Sequence, residues 1–592
     1  MTPAQRRTTL AISVIVGLTL LVVTGLTFLV EPMAEDLALS DDAVERALVA
    51  PTIASLLVVF IAGRAGDRLG QRRTIVAAAL VFTAGAVMLA SAQAEHGVDI
   101  GLALCGAGAI VIQVVALSLL QRTAPDGKAH VAAFTTYGMV FPIAFLILPI
   151  GTALLLALVD WRWVPVVWAV AGIVVIVISM LMLDRGEARG STGEWASPIL
   201  AGIALMAGTQ VLDELGESPV DVTVLVIGAA VCAVAFVSCF VVMRKATNPG
   251  FSLRPIAGVM MRPLLIGVAL VTLIQILTYV SISMEYLYEM TPFQASLAIA
   301  PAQLGAIIGA KYVAGRTIGR WGVERSGRGL LLATGAVMLL LVLMQPSTPV
   351  WYLVLVSTLF SLTGMAALTV LNLDIMGRAP ADSTGAVSAF RTASSSVGSA
   401  LSMAVLGAVV LSSVTMSAGV TDVGEAELVE LASALRLDGL LGFVISVVGW
   451  AILAAFARRD RAIHEDANPR VGSRSRGWPA GIACRSGQKE SKTAKSATAA
   501  TAVAAATCSE WSSYRRRVST SGKSATSAPS HIPSPPGFTS SHQDCMRSIR
   551  SSRVLRLPSA FMNSTLLASA FRRNSTTLLT VWSLLRRAPF GE

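Results

Sequence analysis

Residues 63–73 read Gly-Arg-Ala-Gly-Asp-Arg-Leu-Gly-Gln-Arg-Arg and separate two apolar runs, at approximately 47–63 and 74–92. Glycines at such a junction allow two helices to approach closely, because they carry no side chain. Asp67 lies among cations, where its carboxylate can pair with an arginine or cap the N-terminus of a neighbouring helix. The stretch therefore predicts a tight, close-packed turn between two apolar helices.

The composition around this stretch excludes a soluble globular protein. Of the 592 residues, 54% are hydrophobic and only 14% are charged, whereas soluble domains carry roughly a quarter charged residues. The net charge of +11 arises after residue 459, where 20 of the 46 Lys and Arg but only 7 of the 35 Asp and Glu are found. The basicity therefore gives no indication that the apolar part binds nucleic acid.

Apolar runs of about 20 residues, the length that crosses a bilayer, recur along the chain and predict an all-α membrane protein with about 14 transmembrane helices. They lie approximately at 10–30, 47–63, 74–92, 98–120, 130–158, 162–183, 197–213, 220–243, 263–287, 293–315, 328–345, 350–375, 384–412 and 434–457.

The charges of the connections support this count. Every second connection is rich in Lys and Arg, and the alternate connections are acidic, apart from Arg46, Arg162 and Arg436. Because cationic loops stay in the cytoplasm, the alternation places both termini there. One span more or fewer would invert the pattern downstream, so the count is constrained.

The chain is expected to divide into a cytoplasmic N-terminus (1–9), a six-helix bundle (10–183), an inserted helix pair (184–243), a second six-helix bundle (244–458) and a basic cytoplasmic tail (459–592). The tail is rich in Ser, Arg, Ala, Thr and Pro and has no apolar run of span length, which predicts disorder. Its composition also resembles an out-of-frame translation of GC-rich coding DNA, which is a second hypothesis for this segment.

The turn at 63–73 resembles the GxLADRxGRKxxL loop signature of the major facilitator superfamily, although Ala65, Gly66 and Gln71 depart from it. The resemblance implies a transporter whose two halves rock against each other around a central site. The residues expected to form the conformational motif of that loop are Gly63, Asp67, Arg68, Gly70 and Arg72.

Two further segments extend the resemblance. Residues 315–322 keep the Gly and Arg spacing of the loop without its Asp, as an internal repeat requires. Trp161-Arg162-Trp163 resembles the WRW element of the 14-span drug:proton antiporter group, whose two six-span halves and inserted helix pair match the predicted organisation.

Departures from that group leave the coupling open. The resemblance implies an Asp in span one and an Arg in span four, but Val23 and Leu102 stand at these positions. The span-five motif of the group is reduced to the residues 148–151, Leu-Pro-Ile-Gly. Proton coupling is therefore one of two alternatives.

Polar residues inside the apolar runs are the remaining candidates, because protonatable groups in a bilayer are costly and tend to be functional. Asp374 and Arg391 are expected at similar depth and can pair, either as part of a site or as a structural ion pair. Glu285 is a candidate proton carrier or an interfacial acid that faces water. The candidate proton or substrate site comprises Glu285, Asp374, Arg391, Gln113, Gln275 and Gln303.

The favoured function is a secondary active transporter of the cell membrane that exports hydrophobic or amphipathic small molecules by alternating access, with or without proton coupling. One alternative is a specific metabolite or lipid carrier of different coupling or direction, and another is a membrane scaffold or sensor without transport. An enzyme is not expected, because no nucleophile and base or metal-ligand spacing occurs among the Cys and His residues. The expected partners are a small-molecule substrate, bilayer lipid and, where transport is coupled, protons; no cofactor, metal ion or nucleic acid is expected.

Overall fold

The computed structural model describes residues 1–125, 127–184, 194–216, 222–246, 261–288, 290, 292–380, 383–407 and 425–467, and every regular element in these ranges is helical. Met1–Arg461 belong to one compact unit, to which the description below is confined. The helical class predicted from the sequence is confirmed for these ranges. Most of the predicted tail lies outside the described residues.

The helices of the first part of the chain follow the predicted spans, and two of the spans are divided by short breaks. They are α1 (Pro3–Thr19), α2 (Leu21–Asp36), α3 (Asp41–Leu69), α4 (Gln71–Ala90), α5 (Glu95–Thr123), α6 (Gly127–Gly138), α7 (Val140–Leu158), α8 (Trp163–Met182), α9 (Ala196–Gly216) and α10 (Val222–Lys245).

The helices of the second part include two five-residue π-helical turns, Gly309–Val313 and Met403–Gly407, and the short 3-10 helix Leu339–Leu343. The α-helices are α11 (Met261–Ile274), α12 (Ile276–Leu287), α13 (Pro292–Ile308), α14 (Ala314–Met338), α15 (Val350–Gly377), α16 (Thr384–Ser402) and α17 (Glu425–Ala467).

Twelve helical segments of the described residues are long and apolar enough to cross a membrane, two fewer than predicted. One difference is the 47-residue segment Leu297–Leu343, which counts once although Gly322, at φ 77°, interrupts the helical backbone within it. The other is α16, which carries Arg391 and many Ser, Thr and Gly residues. Such residues lower the hydropathy of a helix that is buried among other helices, so length and composition alone do not identify it as a span.

The N-terminal half is built around α5, which packs against α1, α3 and α4, while α8 covers α1 and α4. In the C-terminal half α15 packs against α13 and α14, and α11 against α16. Helices α9 and α10 pair with each other, and α9 also contacts α3 and α16. The predicted inserted pair therefore lies against one helix of each half.

Two sets of connections meet at opposite ends of the N-terminal half. At one end Arg162 binds Asp36 (2.6 Å between Nη1 and Oδ2), and Arg46 binds Glu95 (3.0 Å between Nη2 and Oε2). Arg46 and Arg162, two of the cations that fall in the otherwise acidic connections, thus have acidic partners at this end. At the other end Gln5 donates to the carbonyl oxygen of Thr123 (3.1 Å), which joins two of the basic connections.

Candidate functional site

The halves meet where α3 ends and α16 begins. Gly70, at φ 94°, separates α3 from α4, so Asp67 lies in the last turn of α3. The residue before α16, Ser383, makes no side-chain cap. Asp67 takes that role across the junction: its carboxylate accepts hydrogen bonds from the backbone N–H groups of Gly385 (3.0 Å) and Ala386 (3.2 Å). An anionic cap of this kind interacts favourably with the positive end of the helix dipole.

Arg122 at the end of α5 completes this arrangement. Its Nη2 lies 2.9 Å from Oδ1 of Asp67, and its Nε donates to Oγ1 of Thr384 at 3.0 Å. The side chains of Arg122 and Asp67 are 27% and 16% exposed, so the ion pair is partly shielded from water. We call Asp67, Arg122, Thr384 and Gly385 the latch.

Close backbone contact makes the latch possible. A Cβ atom at Gly63 would collide with the carbonyl oxygen of Gly385, and a Cβ at Gly385 would collide with that of Gly63. Immediately beyond, Ser388 Oγ donates to the carbonyl oxygen of Val114 at 2.6 Å. Helices α3 and α16 thus touch at two glycines, which explains why the turn needs Gly63.

A second junction joins α6 to the C-terminal half. Lys311, in the first π turn, donates to Oγ1 of Thr136 at 3.0 Å. Buried His130 places one ring nitrogen 2.7 Å from the carbonyl oxygen of Ala124 and the other 3.3 Å from that of Leu373 on α15. Neither residue was selected as a site residue from the sequence, because contacts between distant helices leave no local pattern.

The other members of the predicted conformational motif have different roles. The Arg68 guanidinium lies 5.4 Å from the ring centroid of Trp195, directly before α9, in a cation–π contact. Arg72 is half-buried in the first turn of α4. The structure thus brings Gly63 and Asp67 into contact with the opposite half, while Arg68 extends towards the inserted pair.

Asp374 and Arg391 do not pair, and the pairing predicted between them is wrong. Asp374 accepts from Nε of Arg378 one turn along α15 (2.9 Å), and Nε of Arg391 donates to Oδ1 of Asn372 (2.7 Å). The i,i+4 spacing puts Arg378 on the same helix face as Asp374, and a local partner of this kind forms without crossing to another helix.

Arg391 lies between the halves, two turns beyond the latch along α16. Buried Tyr137 of α6 is close enough for the charge of Arg391 to act on its hydroxyl. In the described part of the chain, no carboxylate forms an ion pair with Arg391. The guanidinium therefore keeps its charge uncompensated by an acid where α6, α15 and α16 meet.

The remaining predicted site residues lie apart from this group. Gln113 of α5 approaches Oγ1 of Thr19 in α1 (3.5 Å). Gln275 forms the break between α11 and α12, and Gln303 is half-buried in α13. Glu285 is in α12, but its side chain lies outside the described residues. Among the described residues, no cluster of His, Cys, Asp and Glu is arranged to hold a metal ion.

The sequence profile of the Major Facilitator Superfamily matches residues 12–403, and the chain belongs to this family. Membership in this family places the chain among multi-pass membrane transporters and not among enzymes. This confirms the resemblance drawn from the turn at 63–73.

Several curated relatives, all at low identity, are resistance or export proteins. The puromycin resistance protein pur8 of Streptomyces alboniger is 26% identical over 54% of this chain and 64% of its own length. The tetracenomycin C resistance and export protein of Streptomyces glaucescens is 26% identical over 61% of this chain and 68% of its own length. The lincomycin resistance protein of Streptomyces lincolnensis is 28% identical over 49% of this chain and 58% of its own length. The matches thus span about two thirds or less of these relatives.

Among solved structures, the human organic anion transporter MFSD10 (TETRAN) superposes with a TM-score of 0.55 at 14% identity, over 76% of this chain and 100% of the other. At this identity the likeness concerns the fold alone.

Proposed function

We propose that the protein is a secondary active transporter that exports hydrophobic or amphipathic small molecules by alternating access. The latch is the observation that carries the proposal. It joins the halves through polar contacts at the ends of α3, α5 and α16, and such contacts can be exchanged for contacts with water when the halves separate.

The energetics of the latch suit a reversible closure. A charge-assisted hydrogen bond contributes about 1.5–3 kcal/mol, and a helix cap about 0.5–2 kcal/mol. Where a ligand can shift a protein between two conformations, the free energies of the two conformations differ by only a few kcal/mol. Closure at this end by a handful of such contacts therefore allows a bound substrate or ion to change which end is open.

Export is the proposed direction because the relatives named above are resistance and export proteins. The first candidate substrates are accordingly puromycin, lincomycin and tetracenomycin C, which we call the antibiotic panel. Where α6, α15 and α16 meet, Arg391, Asn372 and Tyr137 offer a small polar region, which favours a substrate whose surface is mostly apolar with a small polar part.

For the membrane topology we propose fourteen spans with both termini in the cytoplasm. Leu297–Leu343 at about 1.5 Å per residue is about 70 Å long, more than twice the hydrocarbon thickness of about 30 Å, and Gly322 divides it. Counting this segment as two and adding α16 to the twelve apolar segments gives fourteen. The latch then lies at the cytoplasmic end.

A second candidate function is a specific carrier of an acidic metabolite or lipid. Arg391 favours it, because a half-buried guanidinium whose described hydrogen bond goes to a neutral amide can bind a carboxylate or phosphate of the substrate.

Expression in an efflux-deficient bacterial strain tests the proposed function. Tolerance to at least one compound of the antibiotic panel is expected to rise, and its cellular accumulation, measured by mass spectrometry, is expected to fall. The matched control is the Gly385→Val variant, whose side chain cannot fit against Gly63. Unchanged tolerance and accumulation across the panel and a set of acidic amphipaths would contradict export, and binding without flux would indicate a scaffold or sensor.

A further inference from the structure

Asp438 is a buried acid outside the candidate site predicted from the sequence. It lies in α17, on the face that packs against α14. The next residue, Gly439, is so close to α14 that a Cβ there would lie 2.8 Å from the carbonyl oxygen of Met338. The two helices therefore hold Asp438 in a fixed position inside the C-terminal half.

The carboxyl group of Asp438 is enclosed by protein. Asp438 is 0% exposed, and neither of its carboxyl oxygens has a hydrogen-bond partner among the described residues. An ionised carboxylate in such a position loses its hydration without compensation, whereas the neutral acid loses far less. Burial without a partner therefore favours the neutral, protonated form of the Asp438 carboxyl group.

Among the described residues, the charged and titratable groups around Asp438 supply no compensating cation. On α17, Arg436 donates to the carbonyl oxygen of Met344 instead, and on α12 the nearby group is the hydroxyl of Tyr279. From α9, Asp213 acts on the same hydroxyl. The solvent-exposed charged residues of α14 precede Ser326 in the chain, whereas α17 packs against the part of α14 near Met338. From α11, the apolar Leu273 lies beside Gly442 of α17.

These neighbours connect Asp438 with one end of the molecule. Asp213 is half-buried in the last turn of α9, next to an acidic connection. Tyr279 is 5% exposed and lies within electrostatic range of both acids. In this conformation the Tyr279 hydroxyl donates to Sδ of Met403 at 3.7 Å and not to Asp438. Asp213 and Tyr279 therefore mark the end of the molecule near which Asp438 lies, without a hydrogen-bonded path between the three groups.

We propose that Asp438 carries the proton that is coupled to transport. The claim that transport occurs rests on the proposed function, whereas the binding of a proton by Asp438 does not depend on it. One proton binds to the carboxylate from the end where Asp213 lies, giving the neutral acid. When the helices rearrange and water reaches the group from the other end, the acid releases that proton to water and becomes the carboxylate again. Asp438 lies in the C-terminal half. The positions at which the resemblance implied an acid and an arginine are occupied by Val23 in α2 and buried Leu102 in α5, and both lie in the N-terminal half.

Infrared spectroscopy of the purified full-length protein in lipid tests whether Asp438 holds a proton. The wild type at neutral pH is expected to show the carbonyl band of a protonated carboxylic acid. The Asp438→Asn variant is expected to lack it, whereas Glu430→Gln, which changes an exposed acid on the same helix, is expected to keep it. Asp438→Glu keeps the carboxyl group and should shift the band, so an unfolded Asn variant does not prevent the assignment. A band that neither substitution at 438 alters would overturn the proposal.

The coupling is tested in liposomes with ethidium, a fluorescent amphipathic cation, as the probe. A pH gradient is expected to drive ethidium flux in the wild type and in Glu430→Gln. In Asp438→Asn this flux should fall to the rate without a gradient, while exchange of ethidium against ethidium should persist. Gradient-driven flux in Asp438→Asn equal to that of the wild type would overturn the proposal. If the wild type moves no ethidium, that result counts against the proposed function, and the infrared result decides the proposal on Asp438.

Discussion

Replacing Asp67 with Asn is expected to open the end of the molecule that the latch closes. Asn is nearly the same size as Asp, so the packing of α3 against α16 is retained while the negative charge is lost. The charge interacts with Arg122 at 2.9 Å and with the two N–H groups that begin α16. For a partly exposed pair and one helix cap, we expect a loss of about 2–3 kcal/mol. Since about 1.4 kcal/mol corresponds to a factor of ten, the ratio of closed to open molecules should fall roughly 30- to 150-fold.

Electron–electron double resonance between two spin labels measures this shift. Exposed Arg73 in the N-terminal half and exposed Trp321 in the C-terminal half are suitable label positions in a protein whose own cysteines have been replaced. Asp67→Asn should add a population at longer distance. The matched control is Asp36→Asn, which removes an acid paired with Arg162 at the opposite end and within one half. Identical distance distributions in Asp67→Asn and the wild type would refute the role of the latch.

Three further predictions concern the contact between Gly63 and Gly385, the cation Arg391 and the tail. Gly385→Ala places a Cβ against the carbonyl oxygen of Gly63, and overpacking of this kind costs about 1–3 kcal/mol, so the same spin labels should report partial opening; an unchanged distance distribution would argue against the glycine contact. Arg391→Gln should raise the KM for an acidic amphipath roughly 10- to 150-fold, the equivalent of about 1.5–3 kcal/mol for a charge-assisted hydrogen bond, while Arg391→Lys should raise it less; equal KM values in liposome uptake would exclude Arg391 as an anion-binding group. Truncation after residue 470 should leave tolerance to the transported compound unchanged, and loss of transport would show that the tail has a role.

Much of the fold follows from patterns that act along a single helix. Hydropathy located the helices, and the alternation of charged connections agrees with the contacts of Asp36 with Arg162 and of Gln5 with Thr123. The turn at 63–73 also predicted that Asp67 would pair with an arginine or cap a helix. The structure contains both interactions at once, with Arg122 and with α16.

The contacts between helices could not be read in the same way. Counting residues from a turn gives the depth of Asp374 and Arg391, but each residue also turns a helix by about 100°. The direction of a side chain therefore depends on how helices pack, which the sequence alone does not give. The i,i+4 spacing of Asp374 and Arg378 was the one local signal that could have corrected the predicted pairing.

Asp438 illustrates the opposite case, because the sequence shows an acid inside an apolar run but not what surrounds it. Its significance comes from its burial and from the absence of partners for its two oxygens, and both require the packing of α17 on α14. His130 and Lys311 likewise acquire their roles from α15 and α6, which are far from them in the chain.

Flux in liposomes tests the central claim most directly, that the protein moves small amphipathic molecules across the membrane by separating its halves at the latch. The compound whose accumulation the protein lowers in cells should enter liposomes containing the purified wild type in a saturable manner. In Gly385→Val, whose junction cannot close, the rate should fall to that of protein-free liposomes. A wild-type rate no higher than that of protein-free liposomes, or an undiminished rate in Gly385→Val, would contradict the claim.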